Sequence, residues 1–508
     1  MRGPFIAKSE QRIANDAPFH SRYIANVLSL VREHRWFFLT VALAALALRL
    51  FFFVDFPAVT DDSHVYADLA TNWLQHGIYG QTQAPLIVPT DTRLPGYPAF
   101  LAIIFWLFGA GNFKAVMLAQ IVFDLATCLI VADIARRMLS TRAAKIAFLL
   151  ASLCPFLANY SVAVLTETLE IFFTVLALDC AVAALNRMHA GEAGINQRWA
   201  ATGVAIAACI LLRPDGGILL IAVAFYVVAA ARKTTIRGAV VAGVIITAFA
   251  LAPLAPWTIR NFLTLHHFQP LAPRYANEPE ELTPVGFNRW VKTWMAEYAS
   301  VEEIYWSVQG DRIDLAKLPA RALDEPPSTA TTLAVIADYN QTPEQELTPQ
   351  LDARFGQLAA IRIRAHPIRY YVVLPLLRVA DMWLRPRTEI LSPDVRWWEF
   401  NDDVKHSIMA AGFGVLNLAY VGAALLALAS KPSRRSLGVR RSGLRWPGLL
   451  IGFVLLRSAF LLTLENPEPR YTLECYPAVI VFAAAYLAQA TKRERHAGSH
   501  FSNPDSCS

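Results

Sequence analysis

Residues 36 to 70 read WFFLTVALAALALRLFFFVDFPAVTDDSHVYADLA, and the apolar part, 36 to 54, ends just before two adjacent acids, Asp61 and Asp62. A run of that length reaches about 28 Å as a helix, close to the thickness of a bilayer's hydrocarbon core. It follows a tail carrying Arg22, Arg32 and Arg35 and lacks a small-residue cleavage site, so it reads as an uncleaved anchor. An acid pair at the point where the chain leaves a membrane has a plain structural reading. Thr60 or Asp61 would cap a helix, Asp62 and Asp68 would face solvent, and Tyr66 would sit at the interface. The rest of the chain must decide between that reading and a site.

The chain of 508 residues is 55% hydrophobic and 17% charged, with a mean hydropathy of +0.37. Those values fit a polytopic membrane protein better than several soluble domains. Four of the six cysteines fall inside apolar segments without metal-ligand spacing, which argues against a disulfide framework or a metal knot. The net charge of +6 lies mostly beside apolar runs, where it reads as an orientation signal and excludes nucleic acid as a partner.

Apolar runs at 36–54, 113–135, 145–165, 168–186, 198–213, 214–231, 238–256, 408–430, 446–463 and 473–490 read as spans. The sequence thus predicts an all-α polytopic membrane protein of about 10–12 transmembrane helices. With ten spans, every basic cluster falls on one side, which the positive-inside rule makes cytoplasmic together with both termini. The stretch 95–109 is too short to cross and is expected at the outer interface or re-entrant. The Pro- and Arg-containing stretch 366–386 is expected to be partly embedded. Along the chain this gives a cytoplasmic tail (1–35), an N-terminal transmembrane module (36–256) with a first outer loop at 55–112, an outer lobe with a partly embedded helix (257–407), C-terminal spans (408–490) and a second cytoplasmic tail (491–508). Helical periodicity in LDARFGQLAAIRIRA predicts an ordered small lobe. The expected location is a plasma (inner) membrane, with the outer loops facing away from the cytoplasm.

In DSHVYADLATNWLQHG the apolar positions Val65, Tyr66, Leu69, Ala70, Trp73 and Leu74 recur at three and four, predicting an amphipathic helix on the outer membrane face. Asp62 stands at its N-terminus, where the helix dipole favours the ionised carboxylate, while Asp61 beside it pushes the other way. Such an acid can act as a general base or bind a cation.

The segment D-x-x-x-Y-x-x-L-A, followed by R-x-P-G-Y-P (Arg93, Pro95, Gly96, Tyr97, Pro98), resembles the first outer loop of the family 39 glycosyltransferases. That group comprises the polyprenyl- and dolichyl-phosphate-mannose protein mannosyltransferases and their lipid A aminoarabinose-transferase relatives. LTETL around Glu167, LLRPDG, PWTIRN, AHP and EPRYTLECYP follow in the order that the resemblance requires. Many relatives carry Asp-Glu where this chain has Asp62-Ser63, so the glutamate's role is unfilled here unless Asp61 substitutes.

The resemblance implies an integral membrane glycosyltransferase with Asp62 as catalytic base. It would move a sugar from a polyprenyl-phosphate donor to a lipid, glycan or protein acceptor on the outer face, by inverting displacement. Phosphate is a good leaving group, so a base on the acceptor and cations for the departing phosphate suffice. Arg93, Arg260 and Arg470 are the candidate phosphate clamp, because guanidinium offers a bidentate fork. Asp61, Tyr66, Tyr97, Glu167, Asn261 and Tyr471 complete the expected substrate-binding set, and membrane lipids are the other partners.

Plainer readings stand beside these. Arg260 and Arg470 could anchor helices at headgroup level, Glu167 could be a solvated turn acid, and Tyr97 could be structural. Arg49 and Arg457, inside apolar runs, need partners. The cofactor is open: a divalent cation at Asp61, Asp62 and His64 is compatible with the sequence and not required by it. A transporter or flippase of lipid-linked sugars is the alternative function, but the polar candidates cluster at the ends of spans rather than at mid-membrane.

Overall fold

The protein, seen in a computed structural model, is described over residues 29–190, 195–231, 235–275, 282–323, 328–400, 403–430 and 447–501. Arg22 lies outside the described residues, as do two of the basic clusters that the orientation argument counts, Arg232 with Lys233 and the run 431–445. Helix α1 (Arg35–Asp55) buries Phe38, Val41, Ala45, Arg49 and Phe52, a single stripe at spacings of three and four, and leaves its other faces open. Helix α2 (Asp61–His76) starts at Thr60, whose N–H donates to the Ser63 hydroxyl at 2.9 Å. It stops at Gly77, held at φ 70°.

A two-stranded antiparallel hairpin, β1 (Gly80–Gln83) and β2 (Leu86–Pro89), follows in the first loop and has no counterpart in the sequence reading. Asp68 fastens it: its carboxylate accepts from the Thr82 N–H and hydroxyl, each at 2.7 Å, and from Asn72 at 3.2 Å. Asp68 is therefore a clasp and not the solvent acid expected. Helix α3 (Gly96–Phe108), about 20 Å long, is too short to cross, as its sequence predicts. It opens on Gly96, where a Cβ would stand 2.5 Å from the Leu211 carbonyl oxygen.

Helix α4 (Phe113–Met138) is capped by Asn112, which accepts from the Ala115 N–H at 3.1 Å. The apolar run 145–165 is not one span. It breaks into α5 (Thr141–Ser152) and α6 (Pro155–Tyr160), because Pro155 cannot continue the first helix. Beyond α6 the chain unwinds, and Ala163 forms a β-bridge with Ala58. Gln120 donates to the Ser161 and Ala163 carbonyls at 3.3 and 2.6 Å, so the freed backbone is satisfied by a side chain instead of water.

The central helix is α7 (Glu167–Ala190). Of its apolar window 83% is buried, against 28% for α1, which places α7 inside the bundle and α1 at its edge. Helix α8 (Ile195–Leu212) runs into a short 3-10 turn, Pro214–Gly216, and α9 (Gly217–Ala231). Helices α10 (Ile236–Leu251) and α11 (Leu254–Leu265) meet at a 40° bend at Pro253.

After this come α12 (Val285–Val291), α13 (Ser328–Asn340) and α14 (Pro349–Ala365). Their apolar faces close a separate core built on Phe287, Trp290, Trp294, Tyr339 and Phe355. Inside it Arg362 spends its guanidinium on the Thr293 hydroxyl and on the carbonyls of Ala322 and Arg321 at 2.8 to 2.9 Å. Helices α15 (Leu374–Leu384), α16 (Val404–Ala429), α17 (Pro447–Leu461) and α18 (Tyr476–Phe501) complete the chain, α18 being preceded by a 3-10 turn, Pro469–Cys475.

The chain is an all-α multi-pass membrane protein. Among the described residues six helices are long and apolar enough to cross, or seven if the α10–α11 pair counts as one span. Three shorter apolar helices, Gly96–Phe108, Pro214–Ala230 and Pro447–Leu461, add to the bundle. The runs read as spans at 214–231 and 446–463 thus come out as short helices. Arg49, buried in the bundle, has the partner its position demands. Its Nε donates to Asp124 at 2.7 Å, and its Nη1 donates to the carbonyls of Ala45 and Ser152.

Candidate functional site

One end of the bundle gathers the C-terminal end of α1, the start of α2, the unwound stretch before α7, the turn after α8 and the 3-10 turn before α18. Asp62 projects from the first turn of α2, half-buried, and its Oδ1 accepts from Arg93 Nη2 at 2.9 Å. Arg470, 400 residues further along the chain, approaches Oδ2 at 3.8 Å. Burial alone would raise the Asp62 pKa, but the charges of Arg93 and then Arg470 outweigh it and hold this carboxyl below the usual carboxylate range. Asp61 is exposed and plays no part in that balance. The opposition of two neighbouring acids expected from the sequence is replaced by an acid between two arginines.

Arg470 is the hub. Besides Asp62 it reaches Glu167 Oε1 at 3.8 Å and Glu468 Oε2 at 2.5 Å. Tyr471 donates its hydroxyl to the same Glu468, and the Arg213 guanidinium lies 5.1 Å from the Tyr471 ring centre. Glu167 is buried at the head of α7 and is shared with Arg213 at 3.5 Å, so it is no solvated turn acid. Tyr66 is buried edge-on against Tyr97, with Arg93 5.8 Å above its ring, and burial pushes its hydroxyl pKa up to about 12. It therefore stays a neutral wall. Tyr97 donates to Gln120 at 2.7 Å, the side chain that also ties down Ala163. Tyr97 is fully buried, and that hydrogen bond links α3 to α4.

Arg260 is directed elsewhere. It donates to the carbonyls of Thr90, at 2.8 Å, and Tyr79, and it packs over the rings of Trp257 and Tyr79 at 5.3 and 5.4 Å. Asn261 accepts from Arg260 at 3.0 Å and donates to the Gln269 carbonyl at 2.8 Å. This pair clamps the first loop, and the link to the site is indirect: Tyr79 donates to the Arg93 carbonyl at 2.9 Å. Of the three arginines expected to clamp a phosphate, Arg93 and Arg470 therefore meet at Asp62 and Arg260 does not join them. His64 is exposed and rests edge-on against Phe113, 5.8 Å between ring centres.

The sequence reading missed the inner part of the cluster. Arg213 Nε lies 3.4 Å from Asp215 and 3.7 Å from Glu170, while Arg457 binds Asp215 at 2.6 Å and Glu474 at 2.5 Å. Two signals pointed there: Glu167 and Glu170 share one face at a spacing of three, and Arg457 lies inside an apolar run. Among the described residues, the acids whose oxygens come within ligating range of one another are Glu170, Asp215 and Glu474.

The fold is similar to that of solved polytopic membrane glycosyltransferases. Residues 89–260 match the model of the dolichyl-phosphate-mannose-protein mannosyltransferase family. A search of curated proteins finds no match. Among solved structures the chain is similar to the archaeal oligosaccharyltransferase AglB from Archaeoglobus fulgidus, in complex with an inhibitory peptide and a dolichol-phosphate. The identity is 15% and the TM-score 0.50, over 94% of this chain and 52% of that one. The A. fulgidus enzyme tethered with an acceptor peptide gives 15% and 0.51, over 91% and 50%. ArnT from Cupriavidus metallidurans in the apo state gives 15% and 0.35, over 89% and 76%. The chain spans about half the length of the archaeal enzyme.

Proposed function

We propose that this chain is a glycosyltransferase that takes a sugar from a polyprenyl-phosphate donor and passes it, with inversion, to a hydroxyl or amine of a lipid, glycan or protein acceptor. The reaction would take place on the membrane face opposite the cytoplasm. The observation that carries the reading is the position of Asp62, held between Arg93 and Arg470 at one end of the bundle. The archaeal enzyme's complex with dolichol-phosphate supports the donor class, and the mannosyltransferase match over 89–260 supports sugar transfer.

The arginines give the mechanism its order. A donor phosphate arriving at Arg93 and Arg470 competes with Asp62 for their N–H groups. As the arginines turn to phosphate, Asp62 loses the charges that depress its basicity and becomes a better proton acceptor. The acceptor oxygen or nitrogen then attacks the anomeric carbon, the bond from that carbon to the phosphate oxygen breaks, and the acceptor proton passes to Asp62. The polyprenyl phosphate leaves with the electron pair, its charge met by Arg470. The Asp62→Asn variant tests this: transfer should fall by about 10²–10⁴, the ordinary worth of a general base, while the variant still elutes as a folded monodisperse protein. Full activity in Asp62→Asn would remove the mechanism. Movement of donor lipid across liposomes without transfer would favour a flippase.

A further inference from the structure

We propose that Glu170, Asp215 and Glu474 bind one hard divalent cation of the Mg²⁺, Mn²⁺ or Ca²⁺ class, at a site distinct from Asp62 and one helical turn below Glu167. The three side chains come from α7, the turn after α8 and the 3-10 turn before α18, and they place carboxylate oxygens within 4.8 Å of one another. Their arginine contacts engage both Asp215 oxygens and one Glu474 oxygen, and leave the second Glu474 oxygen and the near face of Glu170 for a cation. Arg457 takes one oxygen of Asp215 and one of Glu474. Arg213 reaches the other Asp215 oxygen at 3.4 Å and one Glu170 oxygen only at 3.7 Å. Glu170 is fully buried, and neither of its oxygens has a hydrogen-bond partner. A buried carboxylate without a donor is costly, and a cation between the three acids is what its geometry accommodates.

Charge accounting points the same way. The linked cluster contains the acids Asp62, Glu167, Glu170, Asp215, Glu468 and Glu474, against Arg93, Arg213, Arg457 and Arg470. With all six acids ionised they exceed the four arginines by two charges, which one divalent ion would balance; two protons would balance them as well. In a low-dielectric interior such an excess is expensive unless it is neutralised. An all-oxygen donor set selects hard cations, and the slight exposure of Asp215, 10% of its side chain, leaves room for entry and for water to complete the coordination. Occupancy of this site does not depend on whether the chain transfers sugar.

The experiment uses the full chain in detergent, stripped with EDTA and titrated with Mn²⁺, with free Mn²⁺ followed by electron paramagnetic resonance. The expected result is one Mn²⁺ per chain, displaced by Mg²⁺ or Ca²⁺, and at least tenfold weaker binding in Glu170→Gln and Glu474→Gln. Asp62→Asn should keep wild-type stoichiometry. Added Mn²⁺ should also raise the thermal midpoint of the wild-type protein, a readout that needs no variant to fold. Absence of Mn²⁺ binding up to millimolar concentration, with no thermal shift, would overturn the proposal and leave protons to neutralise the acids. So would a bound ion that survives Glu170→Gln but is lost in Asp62→Asn, since that would place it at the first-loop acids.

Discussion

Replacing Arg93 with Gln removes the closest positive charge on Asp62, and the proposed mechanism fixes what should follow. The pair stands at 2.9 Å, but the Asp62 side chain is 35% exposed and that of Arg93 22%. A charge-assisted hydrogen bond of about 1.5–3 kcal/mol must therefore be discounted for solvent screening to about 1 kcal/mol. The sign follows from the direction of the shift. Asp62 is held below the ordinary carboxylate range, so in the wild type it is ionised across the neutral plateau and protonates only as the pH falls through that depressed value. Without Arg93 the desolvation that opposes ionisation is less well answered, and protonation begins at higher pH. On the acid limb of the kcat/KM profile, activity at fixed pH should fall by about fivefold, the factor that corresponds to 1 kcal/mol. On the plateau this route costs nothing. Any loss there reports the second expected role of Arg93, holding the donor phosphate, and should appear as a raised KM for the donor. The assay is a pH series of initial rates with the lipid-phosphate sugar donor, run beside Arg260→Gln, which should leave the acid limb in place. An acid limb that stays put, or moves to lower pH, in Arg93→Gln would refute Asp62 as the titrating base.

Three further outcomes follow from the packing. Asp124→Ala strands the fully buried Arg49 and should cost about 3–5 kcal/mol, read as a lower thermal midpoint in detergent, whereas the joint change Arg49→Met with Asp124→Leu should recover most of it. Gly96→Ala drives a methyl to within 2.5 Å of the Leu211 carbonyl oxygen. It should cost about 1–3 kcal/mol and lower transfer with it, because the same loop carries Arg93; unchanged stability and rate would show that α3 and α8 separate freely. Asp68→Ala removes the carboxylate that holds Thr82 of the hairpin to α2, and limited proteolysis should then cut within 80–89 sooner than in the wild type.

How much of this was legible in the sequence depends on whether a residue's meaning is local. The spans of α1, α4, α7, α8, α16 and α18 could be read because twenty apolar residues have few other uses. The lobe helix α14 was legible in the spacing of Leu351, Phe355, Leu358 and Ile363, all buried. The run 145–165 misled because its composition is apolar throughout, and only Pro155 marks where one helix ends and another starts. The hairpin left little trace, since each strand is only four residues long and GQTQ has no apolar alternation, and its order comes from Asp68 and Asn72 on α2.

Arginines show the limit most clearly. Arg260 and Arg470 look alike in sequence, each at a membrane edge with an aromatic residue within two positions. Their difference lies in what faces them, backbone carbonyls for the first and three carboxylates for the second. That depends on which remote segments fold against the same end of the bundle. The Asp62-Ser63 departure from the family pattern has a similar lesson. Ser63 is buried and accepts from the Thr60 N–H, so the position serves to start α2 and aim Asp62. A glutamate there would supply the same backbone bond through a capping box, and in addition a negative charge beside Asp62. This chain keeps the aim and omits the charge, so that Asp62 is the one first-loop acid set against Arg93 and Arg470.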